Sequence, residues 1–124
     1  MANLTSYIFV LLTVLMGVYG QLILKYRMSQ AGSLPDGLLD KGLFLLERFM
    51  DPWVLSAFVS AFLGAICWMA AMTKLPLSNA YPFTSLTFVL ILFFSAVFFH
   101  EPISLYKLLG LVLIIGGIIM SNLN

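Results

Sequence analysis

No charged residue lies within any of the four long apolar stretches of this chain. These stretches cover Tyr7–Leu24, Trp53–Thr73, Asn79–Phe99 and Leu108–Leu123. An α-helix rises about 1.5 Å per residue, so each stretch can cross, or nearly cross, a hydrocarbon core of about 30 Å. The pattern therefore predicts an all-α membrane protein with four transmembrane helices, at about residues 4–25, 53–73, 79–99 and 104–123.

Composition limits both the classes of fold and the classes of function that the chain can have. The 124 residues are 62% hydrophobic with a mean hydropathy of +1.08, far outside the range of soluble proteins, and they predict a single membrane domain over 1–124. A formal charge of +1 provides no basic field for nucleic acid. The single His100 and single Cys67 are too far apart in sequence to predict a metal site. No nucleophile–base pair or phosphate-cradling loop is present, so neither an enzyme nor a bound cofactor is indicated.

The connection between the first two predicted helices is the only long polar region. Turn-forming residues at 32–37 are followed by leucines that alternate with charged residues, a pattern that predicts a short amphipathic helix on the membrane surface. The alternative is an ordered loop without membrane contact. Asp51 is a suitable N-cap for the second helix, and Pro52 suits its first position.

The basic residues predict one fixed orientation in the membrane. Lys74 stands alone in the connection between the second and third helices, whereas the other two connections carry the remaining basic residues: Lys25, Arg27, Lys41, Arg48 and Lys107. Connections rich in Lys and Arg stay on the cytoplasmic side. Both termini are therefore predicted to lie on the outer, periplasmic side.

Three motifs resemble those of a known family. They are Gly20-Gln21-Leu22 with Lys25, the run Leu75–Pro82, and His100–Ser104 leading into Gly110 and Ile114–Ile118. Together they resemble the drug/metabolite transporter superfamily, or EamA-like proteins. Within it the chain looks most similar to the aminoarabinose-phosphoundecaprenol flippase subunits of the bacterial inner membrane, and more distantly to small multidrug resistance proteins. The resemblance implies a small multidrug resistance-like bundle that works as a dimer.

Two positions depart from the proton-coupled exporters of this family. Those exporters carry a glutamate midway along the first helix, where this chain has Gly17. They also carry a tryptophan just after Ala-Tyr in the third helix, where this chain has Thr84. Without the acid there is no obvious group to exchange protons for a cation. The departures therefore disfavour cation antiport by the usual mechanism.

Two lysines and one amide are candidate substrate-binding residues. Gln21, the only amide in the first predicted helix, suits a hydrogen bond to a sugar hydroxyl or to a neighbouring helix. Lys25 suits the phosphate of a lipid headgroup at the cavity entrance, or it serves only to fix topology. Lys74, the single basic residue predicted on the outer side, suits the same phosphate after transfer.

A polar patch in the third predicted helix offers further candidates. Four of its side chains are predicted to line the headgroup path: Asn79, Tyr81, Thr84 and Ser85. Trp68 of the second helix is predicted to stack on the sugar. The alternative for the patch is capping and helix packing, and for Trp68 it is packing alone. His100 and Glu101 are predicted to be structural, with Glu101 pairing with Lys107 or capping the fourth helix.

The leading hypothesis is a transporter subunit that flips an undecaprenyl-phosphate-linked sugar or aminosugar across the bacterial inner membrane. Its partners would be a polyprenyl-phosphate lipid substrate, the membrane lipids, and either a second copy or a similar small subunit. A second hypothesis is one half of a small-molecule or cation exporter whose partner supplies the missing carboxylate. A third is an accessory membrane subunit that does not itself transport.

Overall fold

A computed structural model describes residues 2–123, and its regular elements are all helical. In chain order they are α1 (Ala2–Ala31), α2 (Leu38–Phe49), α3 (Pro52–Met72), α4 (Leu77–Ala80), a 3₁₀ helix (Tyr81–Ser85), α5 (Leu86–Phe98) and α6 (Leu105–Ser121).

Within the described residues, three helical runs are long and apolar enough to cross a membrane, as expected for a multi-pass membrane protein. They are Leu4–Ala31, Pro52–Met72 and the combined run Leu77–Phe98. The helix α6 is also apolar but has only 17 residues. At about 1.5 Å per residue it is about 25 Å long, slightly less than a typical hydrocarbon core.

Two helices differ from their predicted bounds. The first continues through Ala31 instead of ending at Lys25, because no glycine or proline lies between Lys25 and Gly32, whose φ of +91° ends the helix. The third begins at Leu77 and passes through the 3₁₀ helix before becoming α5. Pro82 explains that change, because it lacks the N–H that a continuous α-helix needs at that position.

The connection between α1 and α3 contains the helix that the alternating pattern predicts. A stripe at helical spacing along α2 is apolar and exposed; it consists of Leu39, Leu43, Leu46 and Met50. On another side of α2, the ring of Phe49 packs at a tilt against that of Phe58 of α3, with ring centroids 4.6 Å apart. Contact between the exposed stripe and the membrane surface stays a prediction.

The closest packing in the chain is between α1 and α3. A Cβ atom placed on Gly20 would lie 3.1 Å from the Ala57 carbonyl oxygen, so any larger residue here would press against the backbone of α3. Two hydroxyls tie the same helices together. Thr13 donates to the Gly64 carbonyl at 3.0 Å, and Ser60 donates to the Met16 carbonyl at 2.8 Å. The pair α1–α3 therefore makes the most extensive helix–helix contact among the described residues.

An ion pair joins the far end of α1 to the start of α3. Asp51 caps α3 as predicted, accepting a hydrogen bond from the Trp53 backbone N–H at 3.0 Å. Its other carboxylate oxygen accepts from Arg27 Nε at 2.6 Å. Burial by itself raises the pKa of Asp51, but the hydrogen bonds from Arg27 and Trp53 and the charges of Arg27 and Arg48 outweigh it and lower this pKa. The contact holds the extended end of α1 in place.

The lowered pKa of Asp51 predicts a loss of stability in acid. Its charged form stabilises the fold above the ordinary carboxyl pKa, and this contribution disappears as the pH falls through the lowered value. We expect thermal unfolding in detergent to show wild type and Asp51→Asn separated by a constant margin from about pH 5 to 8, and to converge below about pH 4. Asparagine keeps the cap but loses the charge. Parallel pH profiles for the two proteins would contradict the assignment.

Most residues of the last helix are exposed. It contacts the 3₁₀ helix and α5. Ile118 is its one buried residue, and nothing within 4 Å would obstruct a Cβ atom on Gly110, Gly116 or Gly117. Most of the surface of α6 is therefore left for lipid or for another chain.

Candidate functional site

A polar pocket lies between α1 and the end of α5. It has a cavity volume of about 250 Å³ and is lined by Gln21, Leu22, Lys25, Ile91, Ser95, Phe99 and Glu101. We call it the Lys25 pocket. Gln21 and Lys25 are one helical turn apart on α1, so their side chains share one face. The pocket thus brings together an amide, a hydroxyl, a cation and a carboxylate.

A chain reversal after α5 places Glu101 in this pocket. His100 has a φ of +55°, the left-handed conformation that a non-glycine residue seldom adopts. After it the chain folds back, and the backbone N–H groups of Phe99 and Glu101 both donate to the Ser95 carbonyl, at 3.0 and 3.3 Å. The turn therefore holds Glu101 beside α1.

Glu101 pairs with Lys25, and the expected alternatives at this position are wrong. Its carboxylate oxygen lies 3.9 Å from Lys25 Nζ. Lys107 Nζ instead donates to the Pro102 carbonyl at 3.4 Å, and the hydroxyl of Ser104 caps α6. The reversal at His100 explains the difference, because it turns Glu101 towards α1. The Lys25 and Glu101 side chains are 57% and 43% exposed, so solvent weakens their attraction.

An apolar groove adjoins the Lys25 pocket. It has a volume of about 360 Å³ and is lined by Tyr19, Leu22, Ile23, Tyr26, Phe98 and Phe99. Leu22 and Phe99 line both cavities, so the two lie next to each other. Side by side, they offer charged groups to one part of a ligand and aliphatic and aromatic surface to another. An amphipathic molecule such as a lipid matches this arrangement.

A second polar pocket lies at the opposite end of α1. Its volume is about 440 Å³, and it is lined by Thr5, Ser6, Phe9, Ala70, Thr73 and Lys74. We call it the Lys74 pocket. The hydroxyl of Thr73 donates to the Ala70 carbonyl at 2.6 Å, and Ser6 is buried. By helical rise, Thr5 and Lys25 lie about 30 Å apart along α1, about the thickness of a hydrocarbon core.

The other five candidate residues lie elsewhere. Trp68 packs against the buried cluster around Val10 and meets the ring of Tyr81 edge-on, with centroids 6.0 Å apart. The hydroxyl of Thr84 donates to the Tyr81 carbonyl at 2.6 Å. Asn79 and Ser85 are half-buried. None of these five lines the Lys25 or Lys74 pocket, and their role in binding stays a prediction.

The sequence pattern predicts a structural role for Glu101 and no contact between Glu101 and Lys25. The motif His100-Glu101-Pro102 was the available signal, since a polar group at the end of an apolar helix lies where headgroups bind. The partner across the pocket could not be read from that motif. Within residues 2–123, no three His, Cys, Asp or Glu side chains are grouped so that they could hold a metal ion.

Comparison with known proteins gives a consistent result. The model of the EamA-like transporter family matches residues 4–123. A protein of Aeromonas salmonicida, named probable 4-amino-4-deoxy-L-arabinose-phosphoundecaprenol flippase subunit ArnE, is 37% identical over 62% of this chain and 68% of its own length. The protein of the same name from Yersinia pseudotuberculosis is 34% identical over 96% of this chain and 97% of its own. No solved structure matches.

Proposed function

The chain belongs to the EamA-like transporter family, and from this membership we propose that it flips an undecaprenyl-phosphate-linked aminosugar across the bacterial inner membrane. It would act as a transporter subunit without enzymatic activity. Relatives 33–37% identical to it bear the name of such a flippase subunit.

The observation that carries this proposal is that the apolar groove lies directly beside the Lys25 pocket, with Leu22 and Phe99 lining both. A polyprenyl-phosphate sugar has a small charged headgroup and a long hydrocarbon tail. Pockets for drug-sized ligands have volumes of about 300–1,000 Å³. The Lys25 pocket, at about 250 Å³, is slightly smaller and suits one small headgroup. The adjoining groove, between Leu22 and Phe99, suits the first units of the tail.

The spacing of the two lysines supports transfer from one face to the other. A phosphate is costly to place in hydrocarbon without a partner. Lys25 would attract it at the cytoplasmic face, and Lys74 would receive it about 30 Å away at the outer face. In each pocket the lysine is accompanied by hydroxyl groups that suit a sugar: Ser95 in one, Thr5 and Thr73 in the other.

The absence of acids from the apolar helices favours this function over cation export. The helices α1, α3, α5 and α6 contain no aspartate or glutamate. An exporter that exchanges a cation for protons needs such a group in the membrane. A lipid flippase instead needs polar residues and flanking cations, and both pockets supply them.

The same proposal includes the topology and the dimer. We propose that α6 is the fourth span of a small multidrug resistance-like bundle over 1–124, with both termini periplasmic. The headgroup would cross in a cavity between this chain and a second copy or a similar small subunit. The exposed surface of α6 and the open space at its three glycines leave room for that neighbour.

Transport in vesicles tests the function. The full chain would be reconstituted alone and together with a similar small subunit, and labelled polyprenyl-phosphate aminopentose would be followed from one leaflet to the other. We expect transfer well above that in protein-free vesicles. Transfer only in the two-subunit vesicles would establish a heterodimer. Lipid transfer at the protein-free rate in both preparations would overturn the proposal, and proton-coupled uptake of a small cation would replace it with the exporter half.

A further inference from the structure

The Lys25 pocket contains one group that is not needed to bind or transfer a phosphate. Glu101 is the only acid that lines it, and a carboxylate repels a phosphate. If the pocket served phosphate alone, an acid 3.9 Å from the binding lysine would be a disadvantage. A headgroup that also carries a positive charge removes this conflict.

We propose that Lys25 and Glu101 select a zwitterionic headgroup by giving up their own ion pair. Lys25 would bind the phosphate, and Glu101 would bind an ammonium group on the attached sugar. The inference rests on the proposed function and makes Glu101 the residue that determines specificity for an amine.

The present ion pair is suited to such an exchange. At 3.9 Å it is at the outer limit of a salt bridge, and both side chains are about half exposed. Ion pairs of this kind contribute little to stability, so separating them costs little. One weak pair is lost and two charge-assisted contacts form, with the phosphate and with the ammonium.

The same exchange would exclude headgroups that lack an amine. Once Lys25 had turned to the phosphate, Glu101 would have lost its cation and would face a second anion at close range. Repulsion against the wrong ligand is a common source of specificity. Glu101 would thus act less by adding affinity for the correct lipid than by penalising a neutral sugar phosphate.

The fold holds Glu101 ready for this role. The backbone N–H of Glu101 is bonded to the Ser95 carbonyl, and the turn is fixed by the left-handed conformation of His100. Uncommon backbone conformations tend to persist where a side chain has to be held for function. Across the pocket, Gln21 and Ser95 can bond to hydroxyls of the sugar, which leaves the two charged side chains for the phosphate and the amine.

Binding of two matched lipids to the full chain in nanodiscs tests the inference. One probe is a polyprenyl-phosphate aminopentose, and the other is the same lipid with its amine acetylated. Wild type is expected to bind the free amine about tenfold more tightly, since one charged contact is gained and one repulsion is avoided. Glu101→Gln should reduce this preference to nearly onefold, and Glu101→Asp should retain much of it. Glu47→Gln, the same change on α2, serves as the control and should leave the preference intact.

The outcomes separate this inference from the proposed function. If wild type binds both lipids tightly and equally, the flippase proposal stands and the role of Glu101 is overturned. A fall in affinity for both lipids by the same factor in Glu101→Gln also overturns that role, because it would indicate a structural effect. If neither lipid binds better than a polyprenol without phosphate, both the inference and the proposed substrate are overturned.

Discussion

Replacing Gly20 with valine is expected to destabilise the protein by about 1–3 kcal/mol, the usual cost of overfilling a packed interface. Even the first added carbon would lie 3.1 Å from the Ala57 carbonyl oxygen, and that oxygen belongs to the backbone of α3. The backbone cannot turn aside as a flexible side chain could, so α1 and α3 would have to separate. Separation would also lengthen the hydrogen bonds that Thr13 and Ser60 make across the same interface.

The chain offers a matched control for this substitution. Gly17 lies on the same helix, and a Cβ atom there would have nothing within 4 Å. Gly17→Val is therefore expected to leave stability unchanged or slightly improved, since valine is the better helix former. Detergent denaturation followed by circular dichroism would compare the two variants. Equal losses at both positions would show that the close approach of α3 at Gly20 does not control the result.

Replacing Lys25 with glutamine is expected to weaken binding of a polyprenyl-phosphate headgroup by about tenfold. A charge-assisted contact to phosphate contributes about 1.5–3 kcal/mol, and the 57% exposure of Lys25 places the effect at the lower end of this range. Glutamine keeps most of the length and a donor but loses the charge. The measurement is the affinity of the full chain in nanodiscs for labelled polyprenyl phosphate, with and without the sugar.

Substitutions of two other lysines provide comparisons for that experiment. Lys41→Gln changes a lysine on α2 that lines neither polar pocket, and binding should not respond. Lys74→Gln should leave binding at the Lys25 pocket intact while slowing delivery to the opposite leaflet in vesicles. If Lys41→Gln weakens binding as much as Lys25→Gln, the phosphate is attracted by the general positive charge of the predicted cytoplasmic face. The Lys25 pocket would then not be the binding site.

The apolar stretches predicted the presence of the apolar helices, and the alternation of leucines with charged residues predicted the helix in the first connection. Helix α3 begins with Asp51 as its cap and Pro52 in its first position, as predicted, because capping depends on a few neighbouring residues. The end of α1 was harder to predict. Lys25 and Arg27 suit an interface, and nothing in their sequence showed that the helix continues to Ala31.

The contact between Arg27 and Asp51 illustrates why the end of α1 at Ala31 was not predicted. Arg27 is one of the basic residues that predict the topology, and its Nε also donates to Asp51, the cap of α3, at 2.6 Å, which favours a longer α1. The contact joins residues on different helices. Local sequence patterns report the preferences of each helix separately and contain no information on which helix will lie beside it.

The sequence by itself determined that the chain enters a membrane and roughly where its helices lie, because each apolar stretch is long enough to be recognised on its own. Its motifs also determined which family it resembles. Tertiary structure alone decided that Glu101 faces Lys25 and that the Lys25 and Lys74 pockets lie at opposite ends of α1. Those placements depend on the close approach of α3 at Gly20 and on the chain reversal at His100. Both are properties of packed helices, and a pattern of residue types does not specify them.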